Sequence, residues 1–155
     1  MTACFECTTR VSAPIERVFD LALSIDAHVD SMAKFNERAV GGVTSGQIGL
    51  GEEVTWRARH FGVHWTMTNR IGELERPMFF ADEQVRGPFK RFRHEHTFIT
   101  VDGYTEVVDA VCFEAPFRPL GPFVETILRR YLCRLIARRN SLMKEWAERG
   151  SEGPN

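Results

Sequence analysis

Residues 91–113 read RFRHEHTFITVDGYTEVVDAVCF, and their alternation decides how the chain folds. Phe92, His94, His96 and Phe98 fall at every second position with charged or polar residues between them, the period of a β-strand with one face turned inward. Asp102-Gly103 follows, a dipeptide that favours a type I′ hairpin turn. Beyond it Val107, Asp109, Val111 and Phe113 alternate in the same way, so the two strands pair and their apolar faces coincide. Asp109 is then the single carboxylate on a hydrocarbon face, where a lone charge is costly. A hydrogen bond to His94 or His96 relieves that cost, so a small polar centre is expected inside an aromatic surface.

The strands upstream obey the same period. In EEVTWRARHF, Val54, Trp56 and Ala58 share a face; in VHWTMTNRIGELE, Trp65, Met67, Asn69 and Ile71 do. Gly62 supplies the turn between them, and His60 and His64, which flank it, read as exposed hairpin residues. Pro77 breaks the chain before MFFADEQV, and Gly87-Pro88 breaks it again before the stretch quoted above. Asp82 and Gln84 share one face of this segment and Glu83 and Val85 the other, and the period does not say which face of residues 80–85 points inward. Strands joined by such short turns form an antiparallel meander rather than a parallel sheet with crossovers.

Helical periods bracket the meander. CFECTTRV is a short strand, SAPIERVFDLALS a helix with Pro14 in its first turn and Ile15, Val18, Phe19 and Leu23 as its stripe, and DAHVDSMA a second short helix. Past Pro116, Pro119 and Pro122, residues 123–148 form the longest helix, striped by Val124, Leu128, Tyr131, Leu135, Leu142 and Trp146. Arg129, Arg130, Arg134, Arg138 and Arg139 read as its solvated outer side. The expected fold is therefore α+β: a strongly curved antiparallel sheet of six or seven strands wrapped around a long C-terminal helix, with two short helices after the first strand. Residues 1–149 are expected to be one domain and 150–155 a disordered tail.

Composition narrows the function. With 155 residues, 43% of them hydrophobic and twelve of them Phe, the chain can bury a sizeable core. A formal net charge of -1 speaks against nucleic acid as a partner. No apolar run reaches the roughly 20 residues of a membrane-spanning helix, and the N-terminus lacks the pattern of a secretory signal, so a cytoplasmic protein, monomer or homodimer, is expected. Cys4 and Cys7 point to opposite faces of a strand, and Cys112 and Cys133 stand alone, so all four cysteines are expected to be reduced.

The order of elements, with the residues that decorate it, resembles the START-like superfamily, also called SRPBCC or the helix-grip fold. VSAPIERVFDLAL is similar to that family's first strand running into an AP-x-x-x-VF helix. FFADEQVRGPFKRFRHEHTF resembles the F-x-DEQ-x-x-GPF-x-x-W-x-H-x-H-x-F run of a bacterial ligand-binding branch, with Phe92 where that branch usually has Trp. VVDAVCFEAPFRPLGPF resembles the branch's strand and loop at Asp109 and Pro119-Leu120-Gly121. The resemblance implies a cavity between sheet and C-terminal helix that holds a lipid, polyketide or aromatic molecule, on a fold that hosts carriers and cyclases alike.

The residue pattern and that resemblance together nominate Trp56, Trp65, Met67, Asn69, Phe80, Gln84, Phe92, Phe98, Val107, Val111, Phe113 and Tyr131 as ligand contacts. His94, His96 and Asp109 are the candidate acid–base group of a cyclase or dehydratase, should the ligand be transformed. The same three could chelate zinc, but no further metal pattern lies nearby, and no metal or cofactor is expected.

Overall fold

The computed structural model describes residues 2–116 and 121–150. Strand β1 (Ala3–Val11) leads through Pro14 into helices α1 (Ile15–Leu23) and α2 (Ile25–Ser31) and a 3-10 turn at Ala33–Phe35. Then come β2 (Arg38–Gly42), β3 (Glu53–His60), β4 (Val63–Glu75), β5 (Phe79–Arg86), β6 (Arg91–Val101), β7 (Tyr104–Glu114) and the long helix α3 (Gly121–Glu148). The strands make one antiparallel sheet in the order β1-β7-β6-β5-β4-β3-β2. This curved sheet gripping α3 is the architecture that the alternation and the final helical stripe imply.

Local chemistry sets the connections. Asp102 and Gly103 adopt φ of 45° and 84°, and Phe61 and Gly62 adopt 53° and 73°, so both hairpins turn through two left-handed residues. Phe61 holds the first of these positions without the side-chain polarity that usually eases it. The α2 N-terminus is capped by Ser24, whose hydroxyl accepts from the Ala27 amide at 3.1 Å. In the QVRGPF turn, Gln84 donates from Nε2 to the Phe89 carbonyl at 2.8 Å and accepts from the Phe89 amide at 3.2 Å. A Cβ on Gly87 would collide with the Gln84 side chain, which accounts for glycine there.

Three expectations need correction. Cys4 and Cys112 are joined by a disulfide, because β1 pairs with β7 and places them directly opposite, with 4.2 Å between their Cα atoms. Cys7, on the other face, meets Cys133 with 3.4 Å between the sulfurs, and burial together with the neighbouring thiol pushes its pKa to about 12. The buried face of α3 is turned by about one residue from the expected stripe: Ile136, Arg139, Asn140, Met143 and Ala147 are buried, so Arg139 is not on the solvated side. His60 is half-buried and binds the Tyr131 hydroxyl through Nδ1 at 2.6 Å instead of standing free at the hairpin, whereas His64 is exposed. The tail beyond Gly150 and the Pro119-Leu120 part of the loop lie outside the described residues.

On the outer face Arg93 pairs with Glu73 at 2.6 Å, Glu95 at 2.8 Å and Glu83, a solvated cross-strand set that keeps charge off the inner face. Inside, Phe19 of α1 is fully buried, with Phe80 and Phe98 edge-on at 5.7 and 5.1 Å between ring centroids. This trio fastens α1 to β5 and β6. Phe19→Ala is expected to cost about 3–5 kcal/mol of unfolding free energy, measured by urea denaturation. A loss under about 1 kcal/mol would show that the trio does not anchor α1.

Candidate functional site

Strands β5, β6 and β7 lie side by side, and their register brings the polar residues together. His94 is opposite Asp82 across β5, and His96 is opposite Asp109 across β7. His94 Nε2 lies 2.7 Å from Asp109 Oδ1, and His96 Nδ1 lies 3.0 Å from the same oxygen. His96 Nε2 lies 3.2 Å from Asp82 Oδ2. Asn69 donates from Nδ2 to Asp82 Oδ1 at 2.6 Å, and Asn140 of α3 donates to Asp109 Oδ2 at 2.5 Å. The expected hydrogen bond of Asp109 to one histidine is thus a bond to both, closed from above by the helix. The rings of His94 and His96 lie 3.8 Å apart between centroids, tilted by 31°, and Phe80 stacks on His96 at 4.1 Å.

This network borders a cavity of about 400 Å³ between the sheet and α3. Of the nominated contacts, Trp56, Trp65, Met67, Asn69, Phe80, Phe92 and Tyr131 line it, together with both histidines. Five others lie elsewhere. Gln84 is engaged in the turn at Phe89, Phe98 and Val107 belong to the core around Phe19, and Val111 and Phe113 pack with Phe5 and Ile136. Asp109 sits behind the histidines, fully buried. Sequence reasoning left out Asp82, because the period did not orient residues 80–85; it faces the cavity, as Phe80 does. It also left out His28, which stacks on Trp56 at 4.1 Å and pairs with Glu37, and Arg139 of α3. The signal for Arg139 was divided: Arg138 and Arg139 flank the Leu135–Leu142 stripe equally, and the turn of the buried face by one residue takes Arg139 inside and leaves Arg138 exposed.

Donor atoms of Asp82, His94 and His96 lie within 4.8 Å of one another, a two-histidine, one-carboxylate set that could hold a cation. Asp82, rather than Asp109, completes that set. Asp109 then supports both imidazoles from behind.

A family model described as polyketide cyclase / dehydrase and lipid transport matches residues 11–138. The chain belongs to this family. Among solved structures, the Zhui aromatase/cyclase from Streptomyces sp. R1128 superposes with a TM-score of 0.78 at 19% identity, covering 98% of this chain and 100% of that one. TTHA0849 from Thermus thermophilus gives 0.76 at 16% identity over 97% and 100%. A START superfamily protein from Mycobacterium smegmatis gives 0.72 at 11% identity over 94% and 97%. These likenesses establish the START-like fold. No curated protein matches the chain. Among the described residues no helix is long and apolar enough to cross a membrane.

Within this polyketide cyclase and lipid transport scaffold, the electrostatics of the site sort its four ionisable groups. Burial opposes charge on Asp109, yet hydrogen bonds from His94 and His96 outweigh it and hold the carboxyl well below its usual range. Asp82 is treated likewise: burial is outweighed by the His96 hydrogen bond, the charges of both imidazoles and Asn69, and its pKa falls. The imidazoles are driven apart. Burial, reinforced by the charge of His96, lowers His94. On His96 burial is overcome by hydrogen bonds to Asp109 and Asp82, so its pKa rises. Protonation is thus disfavoured on His94 and favoured on His96 relative to a free imidazole.

The linkage signs follow. Carboxyls depressed in the folded state stabilise it above their unfolded pKa, about 3.9 for Asp, and lose that contribution as pH falls through the folded value. His94, also depressed, acts in the same sense below about 6.5, while His96, raised, stabilises at low pH and loses its contribution as pH rises through its folded value. Asp109→Asn is therefore expected to lower stability at pH 7 by about 3 kcal/mol and to flatten the acid limb. Urea unfolding between pH 2.5 and 7 reads both. Acid limbs of equal slope in parent and variant would count against the network as drawn.

Proposed function

We propose that the protein binds a small, largely hydrophobic molecule, a lipid, polyketide or aromatic metabolite, between its sheet and α3. The carrying observation is the cavity of about 400 Å³, walled by Trp56, Trp65, Met67, Phe80 and Leu128 with a polar cluster to one side. That volume is within the roughly 300–1,000 Å³ of small-molecule sites, and a mostly apolar wall with a few convergent polar groups is their usual chemistry. Membership of a family described by cyclases, dehydrases and lipid transport supports the same reading.

The neutral dye N-phenyl-1-naphthylamine tests it. Uptake is expected at micromolar concentration, with quenching of Trp56 and Trp65 fluorescence. Ala58 is buried on the cavity wall, and Ala58→Phe fills the space, so affinity is expected to fall by about tenfold or more without loss of folding. An absence of uptake by the parent, or equal uptake by Ala58→Phe, counts against the cavity as the binding site.

The opposite shifts of the two histidines favour a second reading, a cyclase or dehydratase acting on that ligand. Two groups tuned apart by their surroundings are suited to separate acid and base roles. His94, neutral and cavity-facing, would take a proton from the carbon beside a ligand carbonyl. His96 would give one to the departing hydroxyl, so that water leaves and a double bond forms. The Tyr131 hydroxyl, on the cavity wall, would orient the carbonyl. Assayed on a β-hydroxy ketone, His94→Ala is expected to cut turnover by roughly 10²- to 10⁴-fold while affinity holds. No turnover by the parent would leave binding as the function.

A further inference from the structure

Among the described residues Arg139 is a cation without a counterion. It is 6% exposed and lines the cavity from α3. Its Nε has no hydrogen-bond partner, and its guanidinium forms no ion pair among the described residues. The carboxylates of the neighbouring network are engaged elsewhere: Asp109 by His94, His96 and Asn140, and Asp82 by His96 and Asn69. Arginine does not shed its proton in a protein, so the charge persists. Burying it without a partner is expensive, and an isosteric neutral side chain would be the more stable choice. The guanidinium is also a rigid, planar fork of N–H donors, shaped for a carboxylate or another oxyanion.

We propose that Arg139 is an anion-receiving subsite and that the cavity's ligand is an organic acid, an apolar body with a carboxylate seated on this guanidinium. The inference rests on the binding reading above and narrows it from any apolar molecule to an acidic one. The aromatic and aliphatic wall takes the body, Arg139 takes the head, and the ligand supplies the countercharge that the protein lacks.

The test compares 2-naphthoate with its neutral methyl ester by titration calorimetry at pH 7.5. In the parent the acid is expected to bind about tenfold tighter or more than the ester, the scale of a charge-assisted pair. In Arg139→Gln that preference disappears while ester affinity stays within about twofold. Arg139→Lys, which keeps charge but not the fork, retains a reduced preference and provides the comparison if the glutamine variant does not fold. The ligand-free Arg139→Met protein is expected to melt at or above the parent temperature, because an unpaired charge has been removed and the stem retained. An ester that binds the parent as tightly as the acid, or a preference that survives Arg139→Gln, overturns the subsite. So does a fall of more than about 5 °C in Arg139→Met, which would make the guanidinium a structural group. If the acid, the ester and N-phenyl-1-naphthylamine all fail to bind, the cavity reading has failed; if the dye binds and the acid does not, only the role of Arg139 has.

Discussion

The carboxylate of Asp109 has no access to solvent, and most of the molecule is arranged to tolerate it. An ion in that position must be compensated on every lone pair it presents. Two imidazoles from β6 and an amide from α3 do so, which ties the helix to the centre of the sheet through polar contacts instead of packing alone. Because the same two imidazoles face the cavity, the group that stabilises the fold is also the group that gives the cavity its chemistry. Fold and site share one network.

The fold was legible because its signals are local. Alternation in residues 52–113, with turns at Gly62 and Asp102-Gly103, specifies a meander, and a curved meander wrapped around the terminal amphipathic helix hides both apolar faces. The histidine–aspartate contact was legible for the same reason, since hairpin register through Asp102-Gly103 places His96 opposite Asp109. What escaped depends on pairings that sequence distance conceals. Cys4 and Cys112 are 108 residues apart and meet only because the first strand adds to the last. Asp82 escaped because both faces of its strand carry mixed polarity. Arg139 escaped because charge was read as a mark of solvent exposure, and because the Leu135–Leu142 stripe is flanked equally by Arg138 and Arg139, of which only the second is buried.

The wall of the cavity is mostly apolar, with few polar groups. Hydrocarbon and aromatic surfaces give affinity but discriminate weakly among apolar shapes. Two buried polar side-chain atoms among the described residues are left unsatisfied beside this wall, Asn69 Oδ1, an acceptor, and Arg139 Nε, a donor. The orientation of Asn69 is not arbitrary: its amide nitrogen is committed to Asp82, which only accepts, so the oxygen is what remains.

The tip of the β3–β4 hairpin touches α3 through the His60 hydrogen bond to Tyr131 and through Phe61, whose ring centroid is 4.5 Å from that of Tyr131. Phe61 is 62% exposed and Trp65 beside it 38%, so this contact is a rim and not part of the core. One hydrogen bond and two ring contacts, Phe61 and the edge-on His60 against Tyr131, hold it, worth about 1–3 kcal/mol together. A contact of that size is smaller than the packing of Phe19 that anchors α1, so of the two attachments to the sheet the hairpin tip is the more easily parted.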